Sequence, residues 1–197
     1  MTKVTCNVSI SADGFVAGPQ QSMENPLGLG GIALHEWHFD PEGVEAQIVD
    51  DWLLTPGAFV MGRNMFTAGR GEWDLEWRGW WGEEPPYHAP VFVLTHFERE
   101  PLEMQGGTTF HFVTDGLESA LDKAKQAAGD KHVEVAGGAA TINGFLTLGA
   151  IDELHLHIAP RVLGAGERLF DGVPEQALVP IDVVAGARAT HVTYRVG

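Results

Sequence analysis

Residues 132 to 149 constrain the fold more than any other stretch. HVEVAGG (132 to 138) reads as a short apolar strand running into two glycines, and AATINGFLTLG (139 to 149) at once resumes helical spacing through Ile142, Phe145, Leu146 and Leu148. Strand, diglycine and helix form one unit of an α/β sheet. The rest of the chain repeats the alternation. Lys3 to Ser11 places Val4, Cys6, Val8 and Ile10 at period two, the pattern of a strand with one face buried, and ends at the turn pair Asp13-Gly14. From Pro41, Val44, Ile48, Trp52 and Leu53 fall at helical spacing until Thr55-Pro56-Gly57 stops the helix. AFVMG (58 to 62), PVFVLTH (90 to 96) and TTFHFVT (108 to 114) read as strands. GLESALDKAKQAAG (116 to 129) is the clearest helix, with Leu117, Leu121, Ala124 and Ala128 on one stripe. ELHLHIAPRVLG (153 to 164), ALVPIDVVA (177 to 185) and ATHVTYRV (189 to 196) complete the strands, the last two as an antiparallel pair.

Two stretches lack a period. Residues 18 to 41 are rich in Gly and Pro and read as a long loop. Residues 63 to 89 carry Trp73, Trp77, Trp80 and Trp81, which suits either a lid that stacks on a flat substrate or a patch buried between two copies. The length of 197 residues, 44% of them apolar, fits a single domain over 1–197. A net charge of −15 repels polyanions, so neither nucleic acid nor an anionic membrane is the expected partner. A lone cysteine, Cys6, and no basic start followed by an apolar core lead to the expectation of a cytoplasmic protein.

Phosphate chemistry enters at the strand ends. At Val135-Ala136-Gly137-Gly138-Ala139-Ala140-Thr141 the missing Cβ atoms let an anion approach the backbone, and the unpaired N–H groups and dipole of the helix start attract it. A tight strand-to-helix turn needs the same two glycines. Gly62, Arg63 and Asn64 follow a strand directly, where a guanidinium can clamp phosphate, and Thr95-His96 ends another strand where a hydroxyl and an imidazole can meet a ribose or its phosphate. Each has an ordinary reading as a turn or a solvated side chain.

In order and spacing, Asp13-Gly14-Phe15-Val16-Ala17-Gly18, Val60-Met61-Gly62-Arg63, Val93-Leu94-Thr95-His96, Val135-Ala136-Gly137-Gly138 and Ile158 to Gly166 resemble the dihydrofolate reductase superfamily, with the closer match to the branch that holds the reductase domain of riboflavin biosynthesis. The resemblance covers about residues 3 to 170. It implies a three-layer α/β fold, a central mixed, mostly parallel sheet flanked by helices. It also implies NADPH as hydride donor to a C=N or C=O bond of a small, pterin- or pyrimidine-like substrate, and a homodimer. Carried over by residue, Gly62, Arg63 and Asn64 would face the cofactor phosphates, with Thr95 and His96 near the adenosine ribose and its 2′-phosphate. Gly137, Gly138, Ala139, Ala140 and Thr141 would lie under the pyrophosphate and nicotinamide ribose, and Ala17 would edge the nicotinamide. Asp13, Phe15 and the helix around Gln47 to Trp52 would form the substrate side.

The sequence departs from that pattern in three places. The Pro-Trp pair before the first helix is missing. The single acid of that helix falls in register at Ala46, with Glu45, Asp50 and Asp51 near it but out of phase. Met65 stands where a phosphate-binding Thr is usual, which removes a hydroxyl. Asp50 and Asp51 are the candidate proton donors, although acids on a helix mostly face solvent. Asp13 is also explained by turn chemistry alone. His155 and His157 share a strand face, with His35 and His38 similar in type, but no third ligand stands at diagnostic spacing and no metal site is expected. The rival readings are a dimeric ligand-binding member of the same fold without chemistry, and a flavin enzyme.

Overall fold

The computed structural model describes residues 2–69 and 71–197. The period-two segment at the start is β1 (Val4–Ser11), which runs into a short β2 (Phe15–Ala17). A single helical turn, α1 (Glu36–Phe39), and α2 (Val44–Leu54) precede β3 (Ala58–Gly62) and a second one-turn helix, α3 (Arg63–Phe66). β4 (Pro90–Leu94), β5 (Leu102–Glu103) and β6 (Thr109–Val113) lead to α4 (Leu117–Ala128). β7 (Val133–Gly137), α5 (Ala139–Thr147), β8 (Glu153–Ala159), β9 (Glu167–Arg168), β10 (Leu178–Ala185) and β11 (Thr190–Val196) finish the chain.

Nine strands form one sheet in the order β10-β11-β8-β1-β7-β3-β4-β6-β5. Every neighbouring pair from β8 through β6 is parallel, whereas β11 on β8, β10 on β11 and β5 on β6 are antiparallel. The expected antiparallel pair at the end of the chain is β10 with β11. A separate antiparallel pair, β2 with β9, ties the segment after β1 to residues 167–168.

The two faces of the sheet are covered differently. On one, Val4, Cys6, Val8, Ile10, Val133 and Val135 pack against Leu121, Ala124, Ile142 and Phe145 of α4 and α5. Each such large side chain contributes about 1.5–3 kcal/mol by leaving water. On the other, Phe59, Met61, Val91, Val93 and Phe110 pack with Phe66 and Tyr87, and Trp73, Trp77 and Trp81 close over them. The tryptophan segment is thus folded onto its own sheet. Trp81 stacks on Phe110 at 5.8 Å between ring centres, and the Trp77 indole N–H donates to the Phe66 carbonyl at 2.9 Å.

Three local expectations change. Residues 18 to 41 are not all loop, since a 3-10 turn at Gly31–Leu34 and then α1 carry Leu34 and Trp37 into the interior. In α4 the buried stripe is Ala120, Leu121, Ala124 and Ala128, with Leu117 only half-buried. In α2 the expected apolar stripe is not the buried face, for Val44 is 43% exposed while Glu45 is 2% exposed. The cause lies underneath, because α2 stands beside a polar patch of the sheet. The Glu45 carboxylate there accepts the Arg188 backbone N–H at 3.0 Å and lies 3.7 Å from His191 Nε2.

Candidate functional site

A cavity of about 1120 Å³ runs along β1 and past the carboxyl ends of β3, β4 and β7, where open α/β sheets collect ligands. Its lining brings together Ala17, Gly62, Arg63, Asn64, Thr95, His96, Gly137, Gly138, Ala139, Ala140 and Thr141, and adds Trp52 from α2. Segments drawn from residues 17 to 141 therefore share one space.

The three glycines at the strand ends meet different surroundings. A Cβ on Gly62 would overlap Thr141 Oγ1, so glycine lets the end of β3 meet the first turn of α5. Gly137 has φ +130°, a conformation that side chains rarely adopt, and a Cβ there would lie 3.4 Å from Met65 Sδ. Gly138 has φ −79° and ψ −164°, extended backbone open to any residue, and a Cβ there would meet nothing within 4 Å. A Cβ at 138 would stand in open space beside the cavity that the residue lines. Gly138 caps α5, with its carbonyl accepting the Thr141 and Ile142 N–H groups at 3.1 Å, and no acidic side chain occupies the first turn. The helix start is left positive toward the cavity.

Arg63 lies with its guanidinium 4.0 Å from the Trp73 ring centre and 5.1 Å from that of Phe97, which fixes its charge at the outer end of the cavity. The Thr95 hydroxyl is held by the Phe97 backbone N–H at 3.2 Å, and His96 is exposed beside it.

The inner end is built from side chains. Glu134, on β7 and fully buried, accepts the Asn7 backbone N–H at 2.6 Å and the Thr5 hydroxyl at 2.5 Å, and both its oxygens lie 3.2 Å from Asn7 Nδ2. Burial pushes its pKa up to about 7, against those donors, which pull it down. With Nδ2 committed to the carboxylate, Asn7 Oδ1 faces His157 Nε2 at 3.1 Å and accepts its proton. His157 Nδ1 then accepts from His191 Nδ1 at 2.8 Å, since burial holds His157 far below the usual histidine range and keeps it neutral. Trp37 covers this array, its ring 4.4 Å from His157 and 6.2 Å from Trp52, and its indole N–H donates to Ser9 Oγ at 2.9 Å. His35 Nδ1 and His38 Nε2 are 3.0 Å apart, and burial lowers their pKa values to about 3 and about 4. Asn7, Ser9, His35 and His38 line the cavity. None of these four is among the site residues that sequence patterning proposes. The signal available was the odd-numbered polar set Thr5, Asn7, Ser9 and Ser11, which marks a face of β1 that is polar yet buried.

Four expected site residues lie elsewhere. The Asp13 carboxylate accepts the Leu163 and Gly164 N–H groups at 3.0 and 2.7 Å; the Ser11 hydroxyl and these bonds hold its pKa near 2, and it does not line the cavity. Phe15 is buried beneath the Arg168 guanidinium, 4.3 Å away. Asp50 and Asp51 are exposed on the far side of α2, and Asp51 accepts the Gln47 side-chain N–H at 3.0 Å. Helical phase explains this, because α2 turns Trp52 and Leu53 to the cavity and leaves the two preceding acids in solvent. Among the described residues, no group of three or more His, Cys, Asp or Glu is placed to hold a metal ion. Nor is any helix long and apolar enough to cross a membrane.

A mixed sheet flanked by helices, with a cavity at the carboxyl ends of its parallel strands, defines a domain of the dihydrofolate reductase-like class. Dihydrofolate reductase from Enterococcus faecalis superposes on 99% of the chain with a TM-score of 0.51 at 15% identity, covering 96% of that enzyme. The chain belongs to the RibD C-terminal domain family, whose family model matches residues 2–192. A putative riboflavin biosynthesis protein from Shewanella sp. PV-4 matches with a TM-score of 0.67 at 23% identity, over 100% of this chain and 99% of that one. The Saccharomyces cerevisiae riboflavin biosynthesis reductase Rib7 matches at 0.58 and 14%, over 100% and 89%. In sequence, the uncharacterized protein YyaP of Bacillus subtilis (strain 168) is 32% identical over 120 residues, 55% of this chain and 60% of YyaP.

Proposed function

We propose that the protein is an NADPH-dependent reductase that delivers hydride to a C=O or C=N bond of a small substrate. What carries this reading is the convergence of Gly62-Arg63-Asn64, Thr95-His96 and Gly137 to Thr141 on one cavity. The vacant Cβ position of Gly138 adds to it, because the open space beside it lets a bound group approach the backbone. The residues fit a dinucleotide phosphate. The start of α5 and Arg63 would face the pyrophosphate, Thr95 and His96 the adenosine ribose and its 2′-phosphate, and Ala17 the nicotinamide. When bound, the cofactor supplies the hydride, and with one proton the acceptor becomes an alcohol or amine as NADPH becomes NADP⁺. The chain's own part is to hold the two reactants in register and keep water out, and orientation alone is worth about 7–11 kcal/mol of barrier. No carboxyl side chain of α2 lines the cavity, so the proton comes from solvent, from Glu167 or from a neutral group of the inner end. We also infer a homodimer from the family, to be checked by sedimentation.

The test is NADPH consumption by purified protein over a panel of aldehydes, ketones and cyclic imines, with deuterium on the transferring carbon of the nicotinamide. Deuterium in the product supports the reading. The same array without a proton donor also suits a ligand-binding member that performs no chemistry; cofactor binding with no turnover on any acceptor would favour that reading instead.

A further inference from the structure

Two imidazoles of the cavity wall, His35 and His38, form a pair whose proton positions follow from their surroundings. His35 closes the 3-10 turn Gly31–Leu34, its backbone N–H donating to the Ile32 carbonyl at 3.0 Å. That turn lies against the end of β2, since a Cβ on Gly31 would be 3.8 Å from Ala17 Cα and 3.1 Å from the Gly18 nitrogen. His38, on α1, brings its Nε2 to 3.0 Å from His35 Nδ1. Its ring packs edge-on to Trp37 and Trp52, with centres 5.2 and 5.5 Å apart.

One N–H lies between the two facing nitrogens, and a third nitrogen decides which ring owns it. His35 Nε2 is buried and has no hydrogen-bond partner among the described residues. A lone pair left alone in the interior is tolerated more readily than an N–H left alone. The His35 proton therefore sits on Nδ1 and is donated to His38 Nε2. Burial keeps both rings neutral, lowering their pKa values to about 3 and about 4, so His38 carries a single proton and it is on Nδ1. With both His35 nitrogens and His38 Nε2 accounted for, the His38 Nδ1–H is the donor that this pair has for the cavity. His38 is half-buried, whereas Glu167, the one carboxyl among the described lining residues, is exposed on β9.

We propose that His38 is the proton donor of the reduction, acting through Nδ1, with His35 as the positioning residue that fixes its tautomer. The proposal rests on the reductase reading and deepens it. Once hydride has reached the carbon of the C=O or C=N bond, the former π pair resides on oxygen or nitrogen. His38 gives its Nδ1 proton to that atom, and solvent then returns a proton to the ring, so that a turnover consumes one hydride and one proton.

The first test needs no substrate. Long-range proton–nitrogen correlation spectra of the isotope-labelled full chain at neutral pH should show His35 and His38 as Nδ1–H tautomers, each assigned by the loss of its signals in His35→Gln or His38→Gln. An Nε2–H tautomer at His38 would overturn the proposal. The second test is turnover. His38→Gln keeps a carboxamide near the Nε2 position for His35 to donate to, and it removes Nδ1. Its kcat should fall about 100-fold, as for a positioned proton donor, while the acceptor KM and NADPH Kd stay within about two-fold. A purely structural loss would move those binding constants as well. An unchanged kcat, a matching loss of binding, or a larger loss of kcat in Glu167→Gln than in His38→Gln would each overturn the assignment. If His38→Gln loses its cooperative unfolding transition, the tautomers of the parent chain still decide. A parent that binds NADPH but reduces no acceptor removes the reductase reading and this proposal with it, whereas a parent that turns over no faster than His38→Gln removes the His38 role alone.

Discussion

The two ends of the cavity are made by opposite means. The outer end is backbone and glycine, with strand carboxyl ends, a helix start and one stacked arginine. The inner end is a chain of buried polar side chains from Glu134 through Asn7, His157 and His191 to Glu45. The first attracts an anion through partial charges that cost nothing to desolvate, because they belong to the fold. In the second, most groups are satisfied by a neighbouring side chain, since a buried donor or acceptor left alone costs about 1–3 kcal/mol. A device of the first kind tolerates changes in the surrounding side chains, whereas one of the second kind is fixed as a set.

The sharpest way to break this contrast is at Gly138. Gly138→Asp puts a carboxylate into open space, so the fold is kept while NADPH affinity falls by at least about 100-fold; calorimetry with a thermal melt checks both. Loss of the fold instead would show that the glycine is there for the chain. Gly62→Ala separates the two roles from the other side. Its Cβ meets Thr141 Oγ1, and the expected cost is about 1–3 kcal/mol of stability by denaturant titration, as for an overpacked core.

The inner end is probed by pH. Between 4.5 and about 7 the folded protein keeps a proton on Glu134 that the unfolded chain has released, so this group's contribution to stability declines as pH rises through that window. His35 and His38, lowered from 6.5 to about 3 and about 4, act in the reverse direction, because the unfolded chain takes up protons below 6.5 that the folded one refuses. Stability attributable to them is lost as pH falls. Glu134→Gln removes the opposing slope and should steepen the loss of stability between pH 6.5 and 4.5 by up to about 1.4 kcal/mol per pH unit, read from unfolding midpoints across that range. An unchanged slope would mean that Glu134 is ionised throughout. The smallest effect is expected at Asp50→Asn and Asp51→Asn, which face solvent and should leave turnover within about two-fold of the parent.

This contrast also explains what could be read in advance. Period two located β1, short apolar runs located β3 and β7, helical spacing located α4 and α5, and the Gly62-Arg63 and Gly137-Gly138 pairs marked the strand ends, because backbone devices leave local signatures. Glu134 looked like one residue of an apolar strand, and Asn7 and Ser9 like the solvent side of another. Their meaning depends on Trp37, His157 and His191, which arrive from residues 37, 157 and 191 through tertiary packing alone. The burial of Glu45 in place of Val44 on α2 has the same origin, for a polar patch of sheet selects a polar helix face. Asp13 was visible as a turn residue, and a turn clamp is what it forms.

The most direct test of the central claim is a titration of the purified chain with NADPH, with NADH as the control, following tryptophan quenching and energy transfer to the nicotinamide from Trp80 and Trp81 at the cavity wall. Micromolar or tighter binding that favours NADPH is the predicted result. No binding at millimolar cofactor would contradict the account and leave the diglycine as a turn between β7 and α5.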